Sequence, residues 1–150
     1  MHATVVSTQA LAGQLAAFMG EVLRSSAGGW LQAVADLDLS MTQVKAMQVI
    51  ADDPRSELSV GDVAGALSLS LAATSRALDG LHQRGLIERR ESAEDRRSRL
   101  VRVSEEGRAA YARVIEARLA GLAAFLGTLS PAERDALERA IAPIAERTRS

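Results

Sequence analysis

The chain contains no cysteine. That removes disulfides, thiolate metal sites and thiol redox switching together. Aromatic residues make up only 3% of its 150 residues, so a core must be built from Ala, Leu, Val and Ile. Ala and Leu favour helix, which points to a mainly α fold. Histidine occurs twice, at His2 and His82, too few for a zinc site or a catalytic constellation built on imidazole. No apolar run reaches the length needed to span a bilayer, and the first residues lack the charged and apolar regions of a secretory leader. The expectation is a soluble cytoplasmic protein with no membrane association. No glycine-rich phosphate loop, nucleophile elbow or HExxH motif is present, so no cofactor and no enzymatic activity is expected.

What is present is a globular composition, 47% hydrophobic and 25% charged, with a formal net charge of −1. The charge is unevenly spread. Residues 1–60 carry six acids and three bases, and residues 103–150 carry seven of each. Residues 84–102 carry seven arginines against Glu88, Glu91, Glu94 and Asp95, the one clear positive excess. A local basic element on a near-neutral body supplies an electrostatic footprint for a polyanion. The competing reading is a solvated charge run.

Helical periodicity runs from residue 8 to about residue 35, through Leu11, Leu15, Phe18, Met19, Val22 and Leu23. Gly28 and Gly29 suggest a bend, a break or a close backbone approach within it. Ser40-Met41-Thr42-Gln43 is a capping box, and the helix it starts ends before Pro54. Ser59-Val60-Gly61-Asp62 opens a short third helix, and Ser68-Leu69-Ser70 turns into a fourth, Leu71 to Arg84, with Thr74, Ala77, Leu78 and Leu81 as its buried stripe. Gly85 stands where a left-handed residue ends a helix. A hairpin follows, with strands Leu86–Arg90 and Arg99–Val103 around a charged tip. For Arg89 and Arg90, pairing with Glu88 and Glu91 across or along its strands is as ready a reading as contact with a polyanion. Ser104 caps a long helix, and Ser130-Pro131-Ala132-Glu133 starts a last one, which Pro143 is expected to kink or end.

Two short helices joined by a tight turn, the second running into a hairpin, make a winged helix-turn-helix. The expected fold is mainly α, with a two-stranded β-wing and long N- and C-terminal helices. The expected division is a helical region, residues 1–36 and 104–150, around a DNA-binding domain, residues 37–103. Leu71 to Arg84 is the helix suited to a major groove, because such helices present their N-terminal residues to base edges.

The chain resembles the MarR family of bacterial transcription regulators over about residues 10–147. The match is most specific in RGLIERRESAEDRRSRLVRVSEEGR, with Asp95 and Arg97 forming the family's Asp-x-Arg element. LSMTQ, LSVGDVAGAL and TSRALDGL support it. The resemblance implies a homodimer, with residues 1–36 and 104–150 as its helical dimerisation region, on a palindromic double-stranded operator, often released by a small-molecule effector, and a repressor as the expected activity. It implies that Arg97 enters the minor groove from the wing tip with Asp95 bracing it. A guanidinium gains from the focused negative potential there. Arg96 and Arg99 are candidates for phosphate contact.

Ser75 and Arg76 match the family's Ser-Arg in the recognition helix. Arg76 is placed to take a guanine or a phosphate, or to form a surface ion pair instead. Ser70 caps the helix and can offer its amide or hydroxyl to a phosphate. Ala72 and Ala73 depart from the more polar residues usual there. They can touch thymine methyl groups but cannot hydrogen-bond. The family's effectors bind where the first, second and fifth helices meet. Phe18, Trp30, Met41, Met47 and Tyr111 are the large side chains that would line such a cleft, with core and dimer packing as the competing reading. The alternative function is a helical dimeric adaptor that binds protein through a degenerate wing and does not touch DNA.

Overall fold

The computed structural model describes residues 7–93 and 99–148. Among them are six helices and three short strands: α1 (Thr8–Asp36), α2 (Met41–Asp52), β1 (Leu58–Ser59), α3 (Val60–Leu67), α4 (Leu71–Gln83), β2 (Ile87–Glu91), β3 (Arg99–Val103), α5 (Glu105–Gly127) and α6 (Pro131–Thr148). The chain divides into two compact units, one of residues 31–117 and one of residues 1–30 with 118–150.

The central unit starts each helix with a side-chain cap. Gln43 N–H donates to Ser40 Oγ at 3.2 Å while Ser40 N–H donates to Gln43 Oε1 at 2.9 Å, which satisfies two amides at the start of α2. Ser59 and Asp62 repeat the arrangement for α3. Ser70 Oγ accepts from Ala73 N–H at 3.2 Å for α4. The fully buried side chains come from every layer: Met47 and Ile50 of α2, Val63 of α3, Thr74, Leu78 and Leu81 of α4, Ile87 of β2 and Val101 of β3. The predicted stripe of α4 is therefore buried, with Ala77 only half-buried at its edge.

The sheet has three strands rather than the two expected, in the order β1-β3-β2 and antiparallel throughout. Leu58 and Ser59 pair with Val101 and Leu100. A two-residue strand has no alternation of its own to read, and it exists only because β3 offers its second edge.

The other unit holds most of α1, the end of α5 and α6. Here α5 crosses α1 closely, since a Cβ added at Gly121 would lie 2.5 Å from the Ser26 carbonyl oxygen. Phe18 meets Phe125 edge to face with ring centroids 5.8 Å apart. Ser130 and Glu133 form the third capping box, and the bonds from Ser130 hold the Glu133 carboxyl below its usual pKa. Gly28 and Gly29 do not break α1, which runs as one helix to Asp36. Glycine in a helix costs about 1 kcal/mol against alanine, too little to interrupt a helix of 29 residues. Pro143 lies inside α6, which continues to Thr148, so it does not end the helix.

Candidate nucleic-acid interface

The turn between α3 and α4 is built by Ser68. Its backbone sits in the left-handed region at φ 53°, and its N–H closes α3 onto Gly65 O at 3.2 Å. Two residues later Ser70 starts α4. Its capping bond uses the oxygen as acceptor, so the hydroxyl hydrogen and the amides of Leu71 and Ala72 lie outside that bond. Thr74, Leu78 and Leu81 face the core, so helical geometry turns Ala72, Arg76 and Asp79 outward. Ala72 and Arg76 are exposed, Ala73 and Ser75 are half-buried, and Arg76 meets no carboxylate among the described residues.

At its other end α4 closes on Gly85, whose φ of 72° suits glycine. Leu86 N–H reaches back to Leu81 O at 2.9 Å. The chain then enters β2 directly. The hairpin register pairs Ile87 with Val103, Glu88 with Arg102, Arg89 with Val101, Arg90 with Leu100 and Glu91 with Arg99. Ser104 closes the base: its buried Oγ donates to Gly85 O at 2.6 Å and accepts from Gly107 N–H at 3.0 Å.

Of the five described arginines in this stretch, four are used within the chain. Arg84 Nη1 donates to Asp38 O at 2.6 Å, and its Nη2 to Leu37 O, which ties the end of α4 to the end of α1. Arg89 pairs with Asp79 of α4 at 2.6 Å. Arg90 forms a two-pronged pair with Glu57, its Nε at 2.6 Å from Glu57 Oε1. Those bonds hold the Glu57 carboxyl below its usual pKa. Arg102 binds Glu88 directly across the hairpin. Arg89 and Arg90 thus do not pair with Glu88 and Glu91. They reach partners on other elements, 10 and 33 residues away in sequence, which strand patterning cannot reveal.

Of the wing residues singled out from the sequence, Arg99 is exposed at the start of β3. Asp95, Arg96 and Arg97 lie outside the described residues. His82 is exposed on α4, with Nδ1 3.2 Å from Ile87 O. Among the effector candidates, Phe18 packs on Phe125, and Trp30 and Tyr111 are half-buried. Met41 is exposed at the start of α2, and Met47 is fully buried in the central core. Among the described residues there is no cluster of His, Asp and Glu able to hold a metal ion, and no helix long and apolar enough to cross a membrane. Sequence reasoning missed Leu69 and Leu71, exposed apolar residues on either side of Ser70. A leucine at helical spacing reads as core, and the only signal against this was its place at the very start of the helix.

A family model described as MarR family matches residues 37–98, the span from the end of α1 to the residue before β3. An uncharacterized HTH-type transcriptional regulator of Bacillus subtilis (strain 168), YfiV, is 32% identical over 117 residues, covering 78% of this chain and 72% of its own length. The transcriptional regulator Tm0710 of Thermotoga maritima superposes with a TM-score of 0.78 at 15% identity, over 95% of this chain and 96% of its own. A mutant MepR of S. aureus, bound to an oligodeoxyribonucleotide, superposes with a TM-score of 0.65 at 17% identity, over 95% of this chain and 99% of its own. With a helix-turn-helix running straight into a wing, and a relative of this identity and coverage, the chain belongs to the MarR family of winged helix-turn-helix transcriptional regulators, DNA-binding proteins and not enzymes.

Proposed function

We propose that the protein is a cytoplasmic homodimeric repressor that binds a palindromic operator and is released by a small-molecule effector. The observation that carries the reading is α4 itself: an exposed N-terminal turn with Arg76 free of carboxylates among the described residues, anchored at its far end to the wing. Ser70, Ala72, Ala73, Ser75 and Arg76 would meet the major groove. Asp95, Arg96, Arg97 and Arg99 would serve the wing, with Arg97 in the minor groove. Residues 37–103 would form the DNA-binding domain.

Residues 1–36 and 104–150 would form the dimerisation region. Support comes from Leu11, Leu15, Met19 and Leu23, which recur every four residues along α1 and are each more than half exposed. Leu119 and Ile144 are exposed to a similar degree. A stripe of this kind is costly in water and is relieved by a second copy. Effector release is proposed from the sequence reading alone, because Met47 is taken up by the central core and Phe18 packs on Phe125.

Fluorescence anisotropy with duplex from the protein's own upstream intergenic region tests the reading. Tight binding that weakens steeply with salt is expected, because phosphate contacts release counterions. Absence of binding at low salt would favour the protein-binding adaptor.

A further inference from the structure

In the central unit, four large apolar side chains are exposed: Leu31, Met41, Leu69 and Leu71. Two of these flank Ser70 at the tip of α4, and Leu71 is the most exposed of the four at 58%. Leu71 is the first residue of α4 and Ala72 the second, and both lack hydrogen-bonding side chains. Ser70 Oγ is engaged with the Ala73 amide and Thr74 Oγ1 with the Ser70 carbonyl. The leading turn of the helix thus offers an apolar surface at the place where helix-turn-helix proteins put base-reading side chains.

Bases differ in what they show such a surface. In the major groove, adenine, guanine and cytosine are told apart by donors and acceptors, whereas thymine alone adds a C5-methyl group. An apolar tip gains nothing from an unpaired donor or acceptor and gains by removing a methyl group from water. We propose, building on the DNA-binding reading above, that Leu71 is a specificity-determining residue that reads thymine by packing on its methyl group. In this account Ala72 completes the contact and Leu69 borders it. One turn along the helix, Arg76 supplies the polar contact to guanine or phosphate. The preferred half-site therefore contains a thymine at a fixed step from the Arg76 contact.

The test uses the full-length protein and a randomised duplex library. Sites are selected, and each thymine in the selected site is replaced in turn by deoxyuridine, which removes the methyl group and keeps every hydrogen bond. Burial of one such carbon is worth about fourfold in affinity. The expected result is a loss of about that size at one or more thymines in each half-site. In Leu71→Ala the loss should fall below about twofold at the same position. The native melting temperature of that variant, whose side chain is mostly in solvent, serves as its folding control. Deoxyuridine that is neutral at every position of a tightly bound site would overturn the proposal and leave the DNA-binding reading standing. A penalty that persists undiminished in Leu71→Ala would overturn the role of Leu71. Failure to select any duplex at low salt would overturn both readings.

Discussion

Asp79 on α4 holds Arg89 on β2 at 2.6 Å, joining the recognition helix to the wing by an ion pair. The Arg89 side chain is only 19% exposed, its Nη2 meets the Asp79 carboxylate and its buried Nε has no hydrogen-bond partner, so that carboxylate is what offsets the charge. Asp79→Asn removes the charge and strands a largely buried cation. We expect a loss of about 1–3 kcal/mol in stability, read by urea denaturation, and a weaker grip on DNA because the two reading elements are no longer held in register. An unchanged denaturation midpoint would contradict the assignment.

The base of the wing is a second joint. A Cβ on Gly107 would lie 1.9 Å from the Leu86 carbonyl oxygen, which is backbone and cannot swing aside. Gly107→Ala should cost about 3 kcal/mol or more, since overpacking at a backbone contact forces α5 off its seat. Thermal denaturation checks this, and a melting temperature within a degree or two of the native protein would refute it.

Ser104→Ala, at the same joint, removes the donor to Gly85 O and the acceptor for Gly107 N–H. A loss of about 1–3 kcal/mol is expected. Ser104→Thr keeps both groups and should recover part of it in the same assay.

Acid should weaken the link between β1 and the wing. The bonds from Arg90 lower the Glu57 pKa on folding, so the stabilisation is fully present above the ordinary carboxylate value and lost as pH falls through the lowered one. Comparing melting temperatures of the native protein and Glu57→Gln should show a gap near neutrality. That gap should close as pH falls below about 4.3. A gap constant down to strongly acidic pH would mean the ion pair is not its source.

The apolar stripe on α1 makes a prediction about assembly. Leu15→Glu with Met19→Glu should convert a dimer to a monomer in sedimentation equilibrium, because two charges would have to be buried. A dimer that survives both changes would place its interface elsewhere.

Much of the fold was legible because its signals are local. The capping boxes at Ser40, Ser59 and Ser130, the glycine at 85 and the buried stripe of α4 each lie within a few residues, and each stands as read except for Ala77, which is only half-buried. What escaped depends on distant partners. β1 exists only through Val101 and Leu100 of β3, Arg84 donates to the backbone carbonyls of Leu37 and Asp38, and Arg89 and Arg90 pair with the carboxylates of Asp79 and Glu57. The positive excess counted along the sequence therefore overstated what the strands offer to DNA. Leu71 escaped for a different reason: it lay outside the predicted stripe, and an apolar side chain offers no motif by which to single it out.

The central claim is that α4 and the wing together grip duplex DNA, and the most direct measurement is the affinity of three proteins for one upstream intergenic duplex at two salt concentrations. Native protein should bind tightly and lose affinity steeply with salt. Arg76→Ala and Arg97→Ala should each bind about tenfold or more weakly, the cost of a lost arginine contact to a base or a narrow groove, with dimer and melting temperature unchanged. Equal affinity of all three proteins, or no binding by any of them at low salt, would contradict the account.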